Sequence, residues 1–273
     1  MVKTAVSKID VLYAELLRRR VMLFDEIVDL AAKLTGRRAD ASYVYGKYVQ
    51  RLLEKGRLRR VRRGLYVALS PIEDEPFVDK LLVASKVRSE YFLGFHTALE
   101  FYGSAYSVHN DAYICVKPEN RFEPFEFAGM RFKPVFVEDV DFGVEEKEYR
   151  GHALRVSSKE RTFIDCLDRV EYAGGWEECL KSLQSLGGLD FEKTAELAVE
   201  YGSEALLRRV GLVLELLRGR SIFYEHLPEE VLMKLEDRIS GQPRYLVVGV
   251  SGALNVRWRL YVPEGFEENL RGV

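Results

Sequence analysis

Apolar residues at the start of the chain recur with a period near 3.6. Ile9, Leu12, Tyr13, Leu16 and Leu17 share one helical face, and Arg18, Arg19 and Arg20 follow. The same spacing predicts a second helix over residues 25–34, with Ile27, Leu30, Ala31 and Leu34 inward and Gly36 at its end. Asp40 or Ser42 is placed to cap a third helix over 43–55, with Tyr45, Tyr48, Val49 and Leu52 on its inner face. Tyr43, Lys47, Gln50 and Glu54 form the opposite stripe, with Arg51 beside it, and Gly56 suits a left-handed stop. Residues 58–62 and 65–69 then pair as a hairpin, with Gly64 at a turn that needs a positive φ.

Beyond this point helical and strand patterns mix. The Ser-Pro-Ile-Glu-Asp-Glu-Pro stretch, 70–76, is acidic and proline-bearing and reads as a domain boundary. Helices are predicted over 78–87, up to Gly103, and from Ser158 with Phe163, Ile164, Leu167 and Val170 inward. Three more follow over 175–186, 190–200 and 203–218. Strands are predicted over 112–116, over 130–137 with an interruption at Pro134, and over 153–157. The tail after 219 mixes a short helix over 229–235 with strands over 244–249 and 257–262, and no internal repeat is visible. The expected fold class is α+β. An N-terminal winged helix-turn-helix domain, 1–70, precedes a mixed α+β C-terminal domain, 77–273.

Charge changes the picture. The net charge is only −2, yet residues 1–70 carry five lysines, eleven arginines and seven acids, a balance of +9, leaving −11 on residues 71–273. Such asymmetry is an argument about partners. Three helices and a basic hairpin match a winged module, whose third helix enters the DNA major groove while the hairpin lies along the duplex. Double-stranded DNA is therefore the expected partner. The DNA-binding candidates on the helix are Tyr43, Lys47, Gln50 and Arg51. Glutamine can read adenine there, and lysine or arginine guanine. Arg57, Arg59, Arg60, Arg62 and Arg63 fall within seven positions with no acid between them. They are the phosphate candidates, Arg62 and Arg63 first because a hairpin tip protrudes. The alternative reading is a solvated or protein-binding wing.

Other chemistry is thin. Cys115, Cys166 and Cys179 lie far apart with no CxxC pair, so neither a cysteine metal site nor a disulfide framework is expected. His96, His109, His152 and His226 show no metal-ligand spacing. There is no P-loop or dinucleotide fingerprint, and Gly-Val-Ser-Gly at 249–252 is too short to cradle phosphate. Asp165 and Asp168 are three apart on one helix, where Arg161 and Arg169 explain them as ion pairs. An enzyme is not expected, nor a cofactor or metal. No apolar run reaches membrane-spanning length and no leader pattern opens the chain, so the expected location is cytoplasmic, with no membrane partner. No heptad pattern announces an oligomer.

Three stretches together resemble the AbiEi-type antitoxins and related transcriptional regulators. They are LLEKGRLRRVRRGLYVAL (52–69), YFLGFHTALEFYGSA (91–105) and VSSKERTFIDCLDR (156–169). Their order and spacing carry the likeness, which covers residues 1 to about 220. The resemblance implies an autorepressor whose winged domain binds operator or promoter DNA through the helix around Lys47 and Arg51 and the wing at 59–63. It also implies a C-terminal domain that counters a nucleotidyltransferase-fold toxin in a type IV toxin-antitoxin system, without a stable complex being required. Ser158, Arg161 and Asp165 fall in the family's characteristic segment and are not thereby catalytic. An acidic protein-interaction module, or a regulator with no toxin partner, stands as the alternative.

Overall fold

The computed structural model describes residues 7–70 and 78–270. By its internal contacts the chain divides into two units. One is residues 1–89 with 125–130, the other residues 90–124 with 131–273. All but Ser70 of the expected boundary stretch 70–76 lies outside the described residues.

The first unit runs α1 (Lys8–Arg19), β1 (Val21–Leu23), α2 (Phe24–Thr35), α3 (Ala41–Val44), a π-helical turn (Tyr45–Val49) and α4 (Gln50–Glu54). β2 (Leu58–Arg62), β3 (Leu65–Ala68) and α5 (Lys80–Ser85) follow. Each helix start has a local cause. Ser7 accepts the Asp10 N–H at α1, Glu26 accepts the Leu23 N–H at α2, and Asp40 accepts the Ser42 N–H at α3. The stops are glycines where the chain turns left-handed, Gly36 at φ 72° and Gly56 at φ 65°. The three strands form a sheet in the order β1-β3-β2, antiparallel throughout, with Val21 opposite Val67 and Leu58 opposite Ala68. β1 is not foreseen in the sequence, because a three-residue strand beside an arginine run has no period to read. The core is a single cluster of Leu12, Leu16, Ile27, Val49, Leu52 and Tyr66 with their neighbours. Burying each large side chain contributes roughly 1.5–3 kcal/mol.

The second unit begins with β4 (Phe92–Leu93), α6 (Phe95–Phe101) and β5 (Asp111–Val116). β6 (Phe125–Phe127), which groups with the first unit, comes next in the chain. β7 (Met130–Phe136) and the hairpin β8 (Val144–Tyr149) and β9 (His152–Ser157) complete the sheet of this unit, in the order β7-β5-β4-β9-β8. The expected break at Pro134 does not occur. β7 runs through it in parallel register with β5, Pro134 opposite Ile114. β8 escapes the sequence reading because Val-Glu-Glu-Lys-Glu-Tyr has no apolar face.

A helical layer follows: α7 (Lys159–Asp168), α8 (Trp176–Gln184), α9 (Phe191–Glu200), α10 (Glu204–Arg218) and α11 (Glu229–Glu236). It encloses the largest apolar cluster, including Phe163, Leu167, Leu183, Val213, Val231 and Trp258. The tail forms a small sheet of β10 (Arg244–Tyr245), β11 (Ala253–Asn255) and β12 (Leu260–Val262), in the order β10-β12-β11. These strands are shorter than the two expected there, because the tail is fixed by side chains instead of a long ladder. Trp258 is wholly buried and donates from Nε1 to Glu215 at 2.7 Å. Arg257 bridges Glu215, Glu229 and Glu236 at 2.6–2.9 Å. Arg208, also wholly buried, donates to the Ser240, Gln242 and Arg259 carbonyls, each at 2.9 Å. The whole is an α+β fold, and all three cysteines are free and buried.

Candidate nucleic-acid interface and a charged cleft

α3, the π-turn and α4 make one helical rod over 41–54. Val44, Tyr48, Val49 and Leu52 are buried on its inner side. Tyr43, Lys47, Gln50 and Arg51 are all exposed. Lys47 donates from Nζ to the Tyr43 hydroxyl and lies 4.9 Å from the centre of that ring. This hydrogen bond pulls the Tyr43 pKa down and pushes that of Lys47 up, leaving Lys47 a cation. Gln50 donates to Glu54 at 3.0 Å, one turn on.

The five arginines of the ribbon divide into two groups. Arg57 pairs with Asp10 at 2.9 Å and stacks 4.8 Å over Tyr13. Arg59 lies 5.1 Å over the Phe127 ring and Arg62 lies 5.2 Å over Phe125. Arg62 is half-buried, and its Nη1 is shut from solvent with no hydrogen-bond acceptor among the described residues. Arg60 and Arg63 are exposed. The hairpin turns at Gly64, φ 79°, and β2 carries a bulge between Arg60 and Arg62. Sequence reading ranks Arg62 beside Arg63. The structure separates them, because Phe125 and Phe127 stand some sixty residues further along the chain, where no local pattern links them to the ribbon.

In the second unit a cleft of about 450 Å³ is lined by residues that include Phe142, Arg161, Asp165, Asp168, Arg169 and Tyr201. Ser158 caps α7 by accepting the Arg161 N–H at 3.2 Å. Arg161 Nε meets Asp165 at 3.2 Å, while its Nη atoms donate to the carbonyls of Phe142 and Asp139. Tyr201 donates its hydroxyl to Asp165. Burial pushes the Asp165 pKa up, and Arg161 and Tyr201 offset part of that rise. Asp168, also raised by burial, lies 4.0 Å from Arg169. These groups satisfy one another, as expected for ion pairs. No histidine lines the cleft among the described residues.

The four histidines have different surroundings. His226 is exposed, but His96 and His109 stack with ring centres 3.6 Å apart, beside Glu178. Sequence reading misses this pair. Thirteen residues separate the two rings, and Glu178 arrives on α8 from far along the chain.

No protein-family model matches the chain, and no curated protein matches it. A solved structure, the crystal structure of RV2827C protein from Mycobacterium tuberculosis, is similar with a TM-score of 0.65 at 14% identity. The match covers 97% of this chain and 94% of that one. At that identity the likeness concerns the fold alone. Among the described residues no helix is long and apolar enough to cross a membrane.

Proposed function

We propose that the protein is a sequence-specific DNA-binding transcriptional regulator whose first unit is a winged helix-turn-helix module. The observation that carries the reading is topological. Helix, strand, two helical segments and a hairpin, with sheet order β1-β3-β2, is the arrangement in which a winged module presents its last helix and its wing on one side. The charge pattern supports it, because the outward face of that helix carries Lys47, Gln50 and Arg51 while Arg60 and Arg63 project from the wing. In this reading Lys47, Gln50 and Arg51 approach base edges, and Arg60 and Arg63 neutralise phosphates. The mechanism is occupancy: the protein covers promoter DNA. Together with the three AbiEi-like stretches, the reading extends to an autorepressing antitoxin whose acidic second half counters a nucleotidyltransferase-like toxin.

Footprinting on the DNA upstream of the chain's own gene, across a salt series, tests the reading. A protected site is expected, with affinity falling linearly in log–log form as counterions are released. The absence of any protected site at low salt removes it. A second reading, a protein-binding wing, is favoured by the engagement of Arg57, Arg59 and Arg62 inside the unit. It predicts binding to a protein partner that duplex DNA does not displace.

A further inference from the structure

We propose that His96, His109 and Glu178 form a binding site for a divalent transition metal, zinc being the ion whose chemistry fits. The three side chains come from α6, from the segment before β5 and from α8. One ligand atom from each lies within 4.8 Å of the other two. His96 Nε2 is 3.2 Å and His109 Nε2 3.9 Å from the same oxygen, Glu178 Oε1. Two imidazoles and a carboxylate are a zinc ligand set that leaves a fourth position for water or substrate.

Two of the three ligand–ligand edges lie close to what the ion needs. With Zn–N bonds of about 2.0–2.1 Å, tetrahedral ligands stand about 3.3 Å apart. The His96–Glu178 edge already meets this, at 3.2 Å. The His109 edge must shorten by about 0.6 Å for zinc to be shared. The two rings are parallel with centres 3.6 Å apart, so His109 must also rotate out of this stack before both imidazoles aim at one ion. The His109 side chain is 29% exposed and lies outside any helix or strand.

The surroundings are those of a metal site. His96 is wholly buried, and among the described residues its Nδ1 makes no hydrogen bond, yet it faces Glu100 Oε1 at 3.3 Å. A small ring rotation makes that contact the carboxylate–histidine bond that orients metal-ligating imidazoles. Glu178 is fixed by the Ser107 N–H at 2.9 Å and the Ser107 hydroxyl at 3.0 Å. Gly174, at φ +86°, lets the chain close on the site. A Cβ there falls 2.6 Å from Glu178 Cγ and 2.9 Å from His109 Cε1.

Full-length protein without a histidine tag, stripped by chelator, is titrated with zinc by calorimetry. One equivalent is expected to bind, and zinc is expected to raise the thermal midpoint. His109→Ala removes the most exposed ligand and is expected to weaken zinc binding at least a hundredfold. Glu100→Gln, a change at a positioning residue, keeps the stoichiometry and weakens binding by about 10–100-fold. As a check without substitution, zinc is expected to protect His109 in the wild-type protein from diethyl pyrocarbonate, read by peptide mass. No uptake by the wild type, unchanged affinity in the His109→Ala protein, or unprotected His109 each overturns the site.

Discussion

Arginine is used in opposite ways in the two units. In the first, Arg51, Arg60 and Arg63 stand in solvent on a helix and a ribbon above an apolar cluster. In the second, Arg161 and Arg208 are 3% and 0% exposed, and backbone carbonyls and carboxylates take up most of their donors, though Arg208 Nε has no acceptor among the described residues. An exposed guanidinium is weakly tied to the protein's own stability and open to an external anion. A buried one is a structural cross-link whose removal strands its partners. The same residue type therefore points toward a ligand in one place and toward the fold in the other, and exposure decides which.

The sharpest break of this contrast is Arg161→Leu. It leaves Asp165 buried beside Tyr201 without its cation and is expected to destabilise by about 3–5 kcal/mol in denaturant unfolding. Arg60→Leu is expected to stay within about 0.5 kcal/mol. Equal effects would erase the distinction. Next is Gly211→Ala on α10, where a Cβ meets the Trp258 ring at 2.0 Å. Overpacking there is expected to cost about 1–3 kcal/mol and to loosen the tail, read by denaturant midpoint and tryptophan fluorescence.

On the binding side, Lys47→Ala is expected to change sequence preference by about 1–3 kcal/mol at one base position in competition assays. The Arg60→Ala, Arg63→Ala double variant is expected to weaken all duplexes alike and to reduce the salt slope by about 2. A uniform loss for Lys47→Ala would move it to the phosphate class.

The smallest effect concerns Asp111, paired with Lys133 at 2.7 Å and Arg131 at 2.5 Å. Burial raises its pKa, but Lys133 and Arg131 outweigh burial and hold it below the usual carboxylate range. A depressed folded pKa gives stability that is present above the unfolded value, about 3.9, and lost as pH falls through the folded one. The stability gap between wild type and Asp111→Asn is therefore expected to shrink as pH drops below about 4, followed by urea unfolding.

Much of the first unit is legible in the chain. Gly36, Gly56 and Gly64 mark their turns because only glycine takes those backbone angles without strain, and the buried stripe of Tyr48, Val49 and Leu52 follows helical spacing. What escapes is non-local or unpatterned. Neither the phenylalanines under Arg59 and Arg62 nor the stacked histidines have any sequence-near link to their partners. β8 shows no alternation because its residues are nearly all polar. The anchoring of the tail by Arg208 and Trp258 likewise depends on contacts across more than thirty residues.

The π-helical turn at Tyr45–Val49 makes the helix that carries Lys47 and Gln50 a place where chain length can vary. A π-turn holds one residue more than the α-helical turn it replaces. Losing a single residue there would close the rod into continuous α-helix and swing the Tyr43 end by about 100° relative to Gln50. Leu52 would keep its place, and Val44 would be rotated off the core. Variation in chain length is ordinarily the business of loops. In this fold one codon gained or lost inside a helix would re-aim half of an outward surface and leave the other half where it stands.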